Sequence, residues 1–516
     1  MAKYDLKVRR GLVFLKAFFR IHKVRGWLRL SSPQACRSRL LRSLSELPAL
    51  ALVFCPLMLH AQAHSSYLPQ GIWRTVGYGY VFNVAKDQIA EFDELGDQCL
   101  ATGTRTPIQF SADFGDWEPI SSRKIETWRL KTSGMEVQRL DTLPKGCAAP
   151  LARDTRPIVN FDYFWNTFNT NYAFFPEHGV DWNAVRSELR PKAAALPENG
   201  DVFPILSQMV AMLRDSHTYI SDGQRSTHIR KHPFQEDIGP SGPILLDDHY
   251  MIAGFRAYMA GTNSPLAAPA QTAGNGQVLF GRIKATDSAS NSASQAGIGY
   301  IAFFGMKQFG KDEGGDTPVD DSVRSARQTM QQVVASLRGV KGLVIDLRYN
   351  GGGEDAVALA ISGFFADHPV EAYTKRAFNA GKLTDPYKVT VVPEDGERLA
   401  VPMVVLTSDM TVSAAEVCVL DLRVLPHSTQ LGQPTRGSLS DRLSKVLPNG
   451  WKFSLSNEIY TGVHGRVFEV SGIPPDVLTD WPSPKAPDHL RFGRDIFAAV
   501  KELRSRSRSL LMGPNS

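Results

Sequence analysis

Residues 342–353 read Gly-Leu-Val-Ile-Asp-Leu-Arg-Tyr-Asn-Gly-Gly-Gly. Leu343, Val344 and Ile345 form a short apolar run between a helix-like segment and a glycine cluster, which predicts a buried strand running out into a loop. The three glycines free the backbone of that loop. Further on, Pro402-Met-Val-Val-Leu-Thr407 predicts a second buried strand, and Ser413 opens Ala-Ala-Glu-Val-Cys-Val-Leu, a run of good helix formers. Ser413 therefore sits where a strand turns into a helix. A hydroxyl there is placed to act as a nucleophile, because the helix N-terminus and nearby N–H groups favour the negative charge that develops on a substrate oxygen.

Working outward, Ile298-Gly-Tyr-Ile-Ala-Phe-Phe304 predicts a strand, and an amphipathic helix over 319–337 leads back to the Leu343 strand. That is a strand–helix–strand unit with parallel strands. Its repetition through a helix over 356–365, the strand near Val401 and the Ser413 helix predicts an α/β core over 298–482, with a C-terminal helix and basic tail over 483–516. Upstream, residues 151–225 predict a helical segment. Phe161, Phe164, Trp165, Phe168 and Tyr172 follow helical spacing and read as core, and a second helix with Phe203, Leu206, Val210 and Leu213 on one face delivers Arg214-Asp-Ser-His-Thr218. Residues 226–297 are expected to be irregular strand and linker, since 260–297 are rich in Ala, Gly, Ser, Asn and Thr. Residues 64–150 alternate short aromatic and apolar runs with turn residues, which predicts a small antiparallel β domain whose Trp and Tyr side chains fill its own core.

Taken together, Asp346-Leu-Arg-Tyr-Asn-Gly-Gly-Gly353, Ser413-Ala-Ala-Glu416, Asp215-Ser-His-Thr218 and Arg466-Val-Phe-Glu-Val-Ser-Gly-Ile-Pro-Pro-Asp476 resemble the carboxyl-terminal processing (tail-specific) serine peptidases, in the branch similar to the tricorn core protease. The resemblance covers roughly residues 155–482. It implies a crotonase-like core and a secreted or periplasmic serine endopeptidase acting on proteins or peptides. Ser413 would be the nucleophile and His217 the general base, with Ser216 orienting the histidine. Glu469 would complete a charge relay through Ser216, and the N–H groups of Gly351 or Gly352 and of Ala414 would form the oxyanion hole. The residue types suit those roles. An imidazole with an ordinary pKa of about 6.5 accepts a hydroxyl proton near neutrality and returns it to a leaving amine. A carboxylate behind it stabilises the imidazolium. Asp346 and Glu416 read instead as structural, one ending a strand and the other in the first turn of a helix.

Two departures from the family pattern stand out. Typical members carry a catalytic lysine where this chain has Ser438, and the nearest remaining lysine, Lys445, lies in an alternating stretch that predicts an exposed strand face. The stretch where many relatives carry a peptide-binding PDZ module shows no glycine-hydrophobic carboxylate-binding loop. Two alternatives remain open at this stage: a non-catalytic binder of apolar ligands or peptides on the same scaffold, as in the retinoid-binding proteins of the eye that share the resemblance, and an esterase.

The formal charge of +6 is concentrated in the leader. Residues 1–63 hold twelve Lys and Arg against Asp5 and Glu46, or +10, which leaves −4 for residues 64–516 and gives no reason to expect a nucleic-acid partner. The run Leu47 to Leu59 is short for a transmembrane helix and ends at Ala61-Gln-Ala63, a small-x-small cleavage pattern, so residues 1–63 read as a secretory signal with an over-long basic leader. An organellar presequence or an uncleaved anchor is the alternative. Export to a periplasmic or extracellular space would leave no stable membrane insertion after cleavage and would let Cys99 pair with Cys147, while Cys418 reads as a buried small hydrophobe. No His and Cys cluster has metal-ligand spacing, so neither metal nor cofactor is expected. The oligomeric state is not legible.

Overall fold

The protein is described here by a computed structural model covering residues 69–120, 127–130, 134–228, 248–285, 297–311, 313, 317–480 and 487–512. The leader and most of the Ser- and Asn-rich stretch, 286–296, lie outside these residues. The first seven strands are β1 (Gly71–Thr75), β2 (Tyr80–Val84), β3 (Ile89–Leu95), β4 (Gln98–Arg105), β5 (Trp117–Pro119), β6 (Thr127–Leu130) and β7 (Glu136–Leu140), with helix α1 (Pro107–Phe114) between β4 and β5. They form one sheet in the order β4-β3-β2-β1-β7-β6-β5. Cys99 on β4 is disulfide-bonded to Cys147 on the short helix α2 (Lys145–Ala148).

This sheet does not close its own core. Trp73, Phe82 and Phe110 share one apolar cluster with Phe161, Phe164 and Phe168 of α3 (Pro157–Asn171), with Leu189 of α4 (Trp182–Ala194), and with Leu206 and Leu213 of α5 (Phe203–Leu213). The aromatic stripe expected of α3 is thus core, and each fully buried phenylalanine contributes about 2–3 kcal/mol of transfer free energy. After α5 come β8 (Tyr219–Ser221) and β9 (Ser226–His228).

The described parts of 226–297, expected to be irregular strand and linker, are more regular than their composition suggests. They hold α6 (Asp248–Ala260) and strands β10 (Gln271–Ala273) and β11 (Val278–Arg282). Met251, Phe255, Tyr258 and Met259, at helical spacing, bury against the central sheet.

That sheet runs β10-β11-β12-β13-β17-β18-β22, where β12 is Ile298–Phe303, β13 Gly342–Asp346, β17 Met403–Thr407, β18 Ser428–Gly432 and β22 Val477–Leu478. From β12 to β22 neighbouring strands are parallel. On one face, Leu343, Ile345 and Val405 pack with α7 (Val319–Ser336), α8 (Asp355–Gly363) and α9 (Ala414–Arg423). On the other, Val344, Val404 and Leu406 pack with α6 and with α11 (Arg494–Met512), which follows the short α10 (Asp488–Arg491). Burial on both faces explains why β13 and β17 read as unbroken apolar runs. A third sheet joins β14 (Val370–Asn379), β15 (Lys382–Leu383), β16 (Tyr387–Val391) and β21 (Glu458–Gly462). A fourth runs β19-β20-β8-β9, with β19 (Arg442–Val446) and β20 (Lys452–Ser456) as the hairpin turned at Pro448-Asn-Gly450. The fold is mixed α/β. Among the described residues no helix is long and apolar enough to cross a membrane.

Candidate active site

Two loops leave the carboxyl ends of the adjacent parallel strands β13 and β17, the place where open α/β sheets receive ligands. They are stitched together: Thr411 Oγ1 donates to Leu347 O at 2.8 Å, Ser408 Oγ to Arg348 O at 2.5 Å, and Val412 N to Asn350 O at 3.1 Å. Ser413 caps α9 with φ 60° and ψ −130°. For a residue with a side chain this backbone costs on the order of 1–3 kcal/mol, and such strain persists only where its surroundings hold it. Here they are visible. The Ser413 N–H donates to Glu416 Oε2 at 3.1 Å, and Gly352, at φ 88°, lies so close that a Cβ on it would come within 2.7 Å of the Ser413 Cβ and 2.6 Å of Val412 O.

His217 is buried, and its ring is fixed from behind. Nδ1 lies 2.6 Å from the Ser440 carbonyl, which only accepts, so Nδ1 carries the proton and Nε2 of the neutral ring is left as the base. The His217 N–H donates to Asp215 Oδ1 at 2.8 Å, and Tyr172 Oη donates to the other oxygen of that buried carboxylate at 2.9 Å. Burial pushes the His217 pKa down; Asp215 opposes this and Arg442 adds to it. Ser413 and His217 line one cavity of about 710 Å³, together with Ser216, Gly351 and Tyr349.

The two corners are tied by the segment 437–440. Gly437 N–H donates to Glu416 Oε1 at 2.7 Å and Ser438 N–H to Glu416 Oε2 at 2.8 Å. Leu439 and Ser440 N–H donate to Glu469 Oε2 at 2.8 and 2.9 Å. Two buried carboxylates thus hold four consecutive amides. Burial pushes both carboxyl pKa values up, for Glu469 reinforced by the nearby Asp215, while the amide bonds pull the other way.

Several expected roles look different in this geometry. The Glu469–Ser216–His217 relay is not the bonding seen: Ser216 Oγ meets Ser438 Oγ at 2.7 Å, and Glu469 reaches His217 through the Ser440 amide and carbonyl. Ser216, Ser438 and Glu469 do line one small cleft, together with Asp215. Of the expected oxyanion donors, the Gly352 N–H is already taken by Asn350 Oδ1 at 2.9 Å, whereas those of Gly351 and Ala414 have no protein acceptor among the described residues. Glu416 does more than favour a helix end, since it binds Ser413 and the 437–438 amides together.

Lys445 is not on an exposed face. It is buried, 2.8 Å from Asp93 Oδ1 and 3.6 Å from the centre of the Tyr80 ring, because the N-terminal sheet covers β19. Asp215 and Ser440, which hydrogen-bond His217, were not among the residues expected to act at the site. Asp215 stood in the quoted motif, but a backbone carbonyl such as that of Ser440 has no side-chain signature. Cys418 is buried and free.

Residues 297–479 match the description of peptidase family S41, and residues 157–211 that of the tricorn protease C1 domain. The chain is similar to the carboxy-terminal processing protease CtpA of Bacillus subtilis (strain 168), 27% identical over 145 residues that make up 28% of this chain and 30% of that protein. The match therefore spans less than a third of that curated relative. Among solved structures, a protein of Parabacteroides merdae ATCC 43184 described as a peptidase has a TM-score of 0.51 at 24% identity, over 68% of this chain and 97% of that one. That likeness is one of fold.

Proposed function

We propose that this chain, whose residues 297–479 match the description of peptidase family S41, is a serine endopeptidase hydrolysing peptide bonds of proteins or peptides through an acyl-enzyme, on a crotonase-like core. The observation that carries this reading is the pairing of a strained Ser413 at the start of α9 with a His217 whose tautomer leaves Nε2 open, both lining one cavity. In the reaction His217 Nε2 takes the Ser413 hydroxyl proton as Oγ attacks the substrate carbonyl. The oxyanion is received by the Gly351 and Ala414 N–H groups, each worth about 3 kcal/mol in comparable acyl-transfer sites. His217 then gives the proton to the leaving amine, and a water molecule activated in the same way releases the acyl group. Glu469 and Asp215 act as positioning residues, through Ser440 and through the His217 amide respectively.

Export to a periplasmic or extracellular space is part of the proposal. It is supported by the secretory pattern of the leader and by the Cys99–Cys147 disulfide, which suits an oxidising compartment.

The test is intact-mass labelling of the purified protein with a fluorophosphonate, beside Ser413→Ala and His217→Ala. One adduct on Ser413, strongly reduced in His217→Ala, is the expected result. A folded wild type that takes no label and carries a tight apolar ligand would instead mean a binder, and cleavage of short-chain esters with no activity on a peptide panel would mean an esterase.

A further inference from the structure

The cavity holding Ser413 and His217 does not end at the catalytic core. A second cavity, of about 780 Å³, shares Tyr219, Lys307, Glu354 and Arg442 with it, so the two are neighbours that meet at those four residues, the neck between them. The far compartment is bounded on one side by Thr102, Thr104 and Arg105 of β4 and on the other by the length of β19. Both β4 and β19 are the outermost strands of their sheets; on β19 Ser444 O already accepts from Tyr80 and the Val446 N–H binds Asp93, which leaves β4 as the edge whose N–H and C=O groups match another extended chain.

The walls are fastened to each other. Lys445 on β19 binds Asp93 on β3, and Tyr80 Oη on β2 donates to Ser444 O at 2.5 Å. At the neck, Lys307 and Arg442 carry no ion pair among the described residues, and Glu354 stands with them, so a passing chain meets charged groups of both signs rather than an apolar slot. A pair of mixed-charge cavities that starts at Ser413 and ends beside the edge strand β4 suits an extended polypeptide better than an apolar ligand.

We infer that the N-terminal sheet is the outer wall of the substrate channel: a polypeptide bound in extended form runs from Ser413 through the neck and lies between β4 and β19. This rests on the peptidase reading above. The five residues of β19 span about 15 Å at the rise of an extended chain, so the far compartment takes about four or five substrate residues.

The experiment compares cleavage of one peptide core extended stepwise, on either side of the scissile bond, to about ten residues in all. It uses full-length wild type, Thr104→Trp, and Thr104→Val as the conservative control. Thr104 is exposed on β4, and tryptophan suits a strand while filling the compartment. Wild type is expected to gain at least about tenfold in kcat/KM with length in one of the two series, read mainly in KM. Thr104→Trp should lose most of that gain while cleaving the shortest peptide within about twofold of wild type, and Thr104→Val should keep it. Should Thr104→Trp fail to fold, Lys452→Trp on the opposite wall makes the same test.

Labelling of Ser413 with a flat length dependence, or with a length dependence that Thr104→Trp leaves unchanged, would overturn this inference alone. A change in oligomeric state of Thr104→Trp with unchanged peptide kinetics would also overturn it and assign the cavity to a second copy of the chain. Absence of both labelling and cleavage would overturn the peptidase reading, and this one with it.

Discussion

The proposed nucleophile, Ser413, and the proposed base, His217, are held in opposite ways. Ser413 is held by its backbone: its amide is bound by Glu416, its φ is left-handed, and Gly352 presses against its Cβ. His217 is held by its ring, through Nδ1 to the Ser440 carbonyl, and its chemistry is set by burial rather than by strain. The difference teaches that one active site can store its readiness in two forms, a backbone conformation on one side and a tuned protonation state on the other. Substitutions should therefore fail in different ways at the two corners.

The sharpest contrast comes from Ser413→Gly. Glycine tolerates this backbone, so activity should fall by about 10⁴-fold or more while thermal stability rises by about 1 kcal/mol. Paired activity and calorimetry measurements decide it; a loss of stability would mean that Ser413 is not strained. Gly352→Ala attacks the same corner from outside. Its Cβ would be driven into Ser413 and Val412, and kcat should drop about 10²-fold with KM moving less, which steady-state kinetics would read.

Glu416→Gln keeps the shape but turns one acceptor oxygen into a donor amide facing backbone N–H groups. At least one of those buried amides loses its partner, at about 1–3 kcal/mol of stability, and both corners loosen together. If denaturant unfolding matched wild type, the link between the corners would be wrong.

At the base corner the effect is smaller and lies in pH. The depressed His217 pKa places the acid limb of kcat/KM below the ordinary imidazole value of about 6.5. Because folding lowers this pKa, the unfolded chain takes up the proton first as pH falls through about 6.5, and stability declines from there down to the folded pKa. Arg442→Gln removes a cation that helps depress it, so the acid limb should move to higher pH, and a limb that moves lower would break the assignment.

Lys445→Met should leave kcat per folded molecule unchanged and cost about 3–5 kcal/mol, by stranding Asp93 in the interior. Loss of turnover without loss of stability would reopen a lysine base.

Much of the frame was readable from local pattern. β13 and β17 announced themselves as apolar runs, and Ser413 was marked by the change from strand to helix residues. What escaped was whatever depends on a covering surface. Period two puts Lys445 on the same face as Leu443 and Leu447, against the exposed face expected of it, but the pattern could not tell that a sheet more than three hundred residues earlier in the chain covers that face and supplies Asp93. Glu416 sits in a first turn by sequence; its partners at 437 and 438 come only with the fold. The helix α6 carried a usable signal in Met251, Phe255 and Met259, which was outweighed by the small-residue composition just downstream.

The segment 437–440 belongs to no helix or strand, yet all four of its amides end on interior carboxylates. In deuterated water those amides should be among the slowest to exchange outside the regular elements, on the timescale of the central strands rather than of a loop. Without Glu416 or Glu469 they should become labile as two adjacent pairs, 437 with 438 and 439 with 440, so this short piece of chain would report which of the two anchors has been lost.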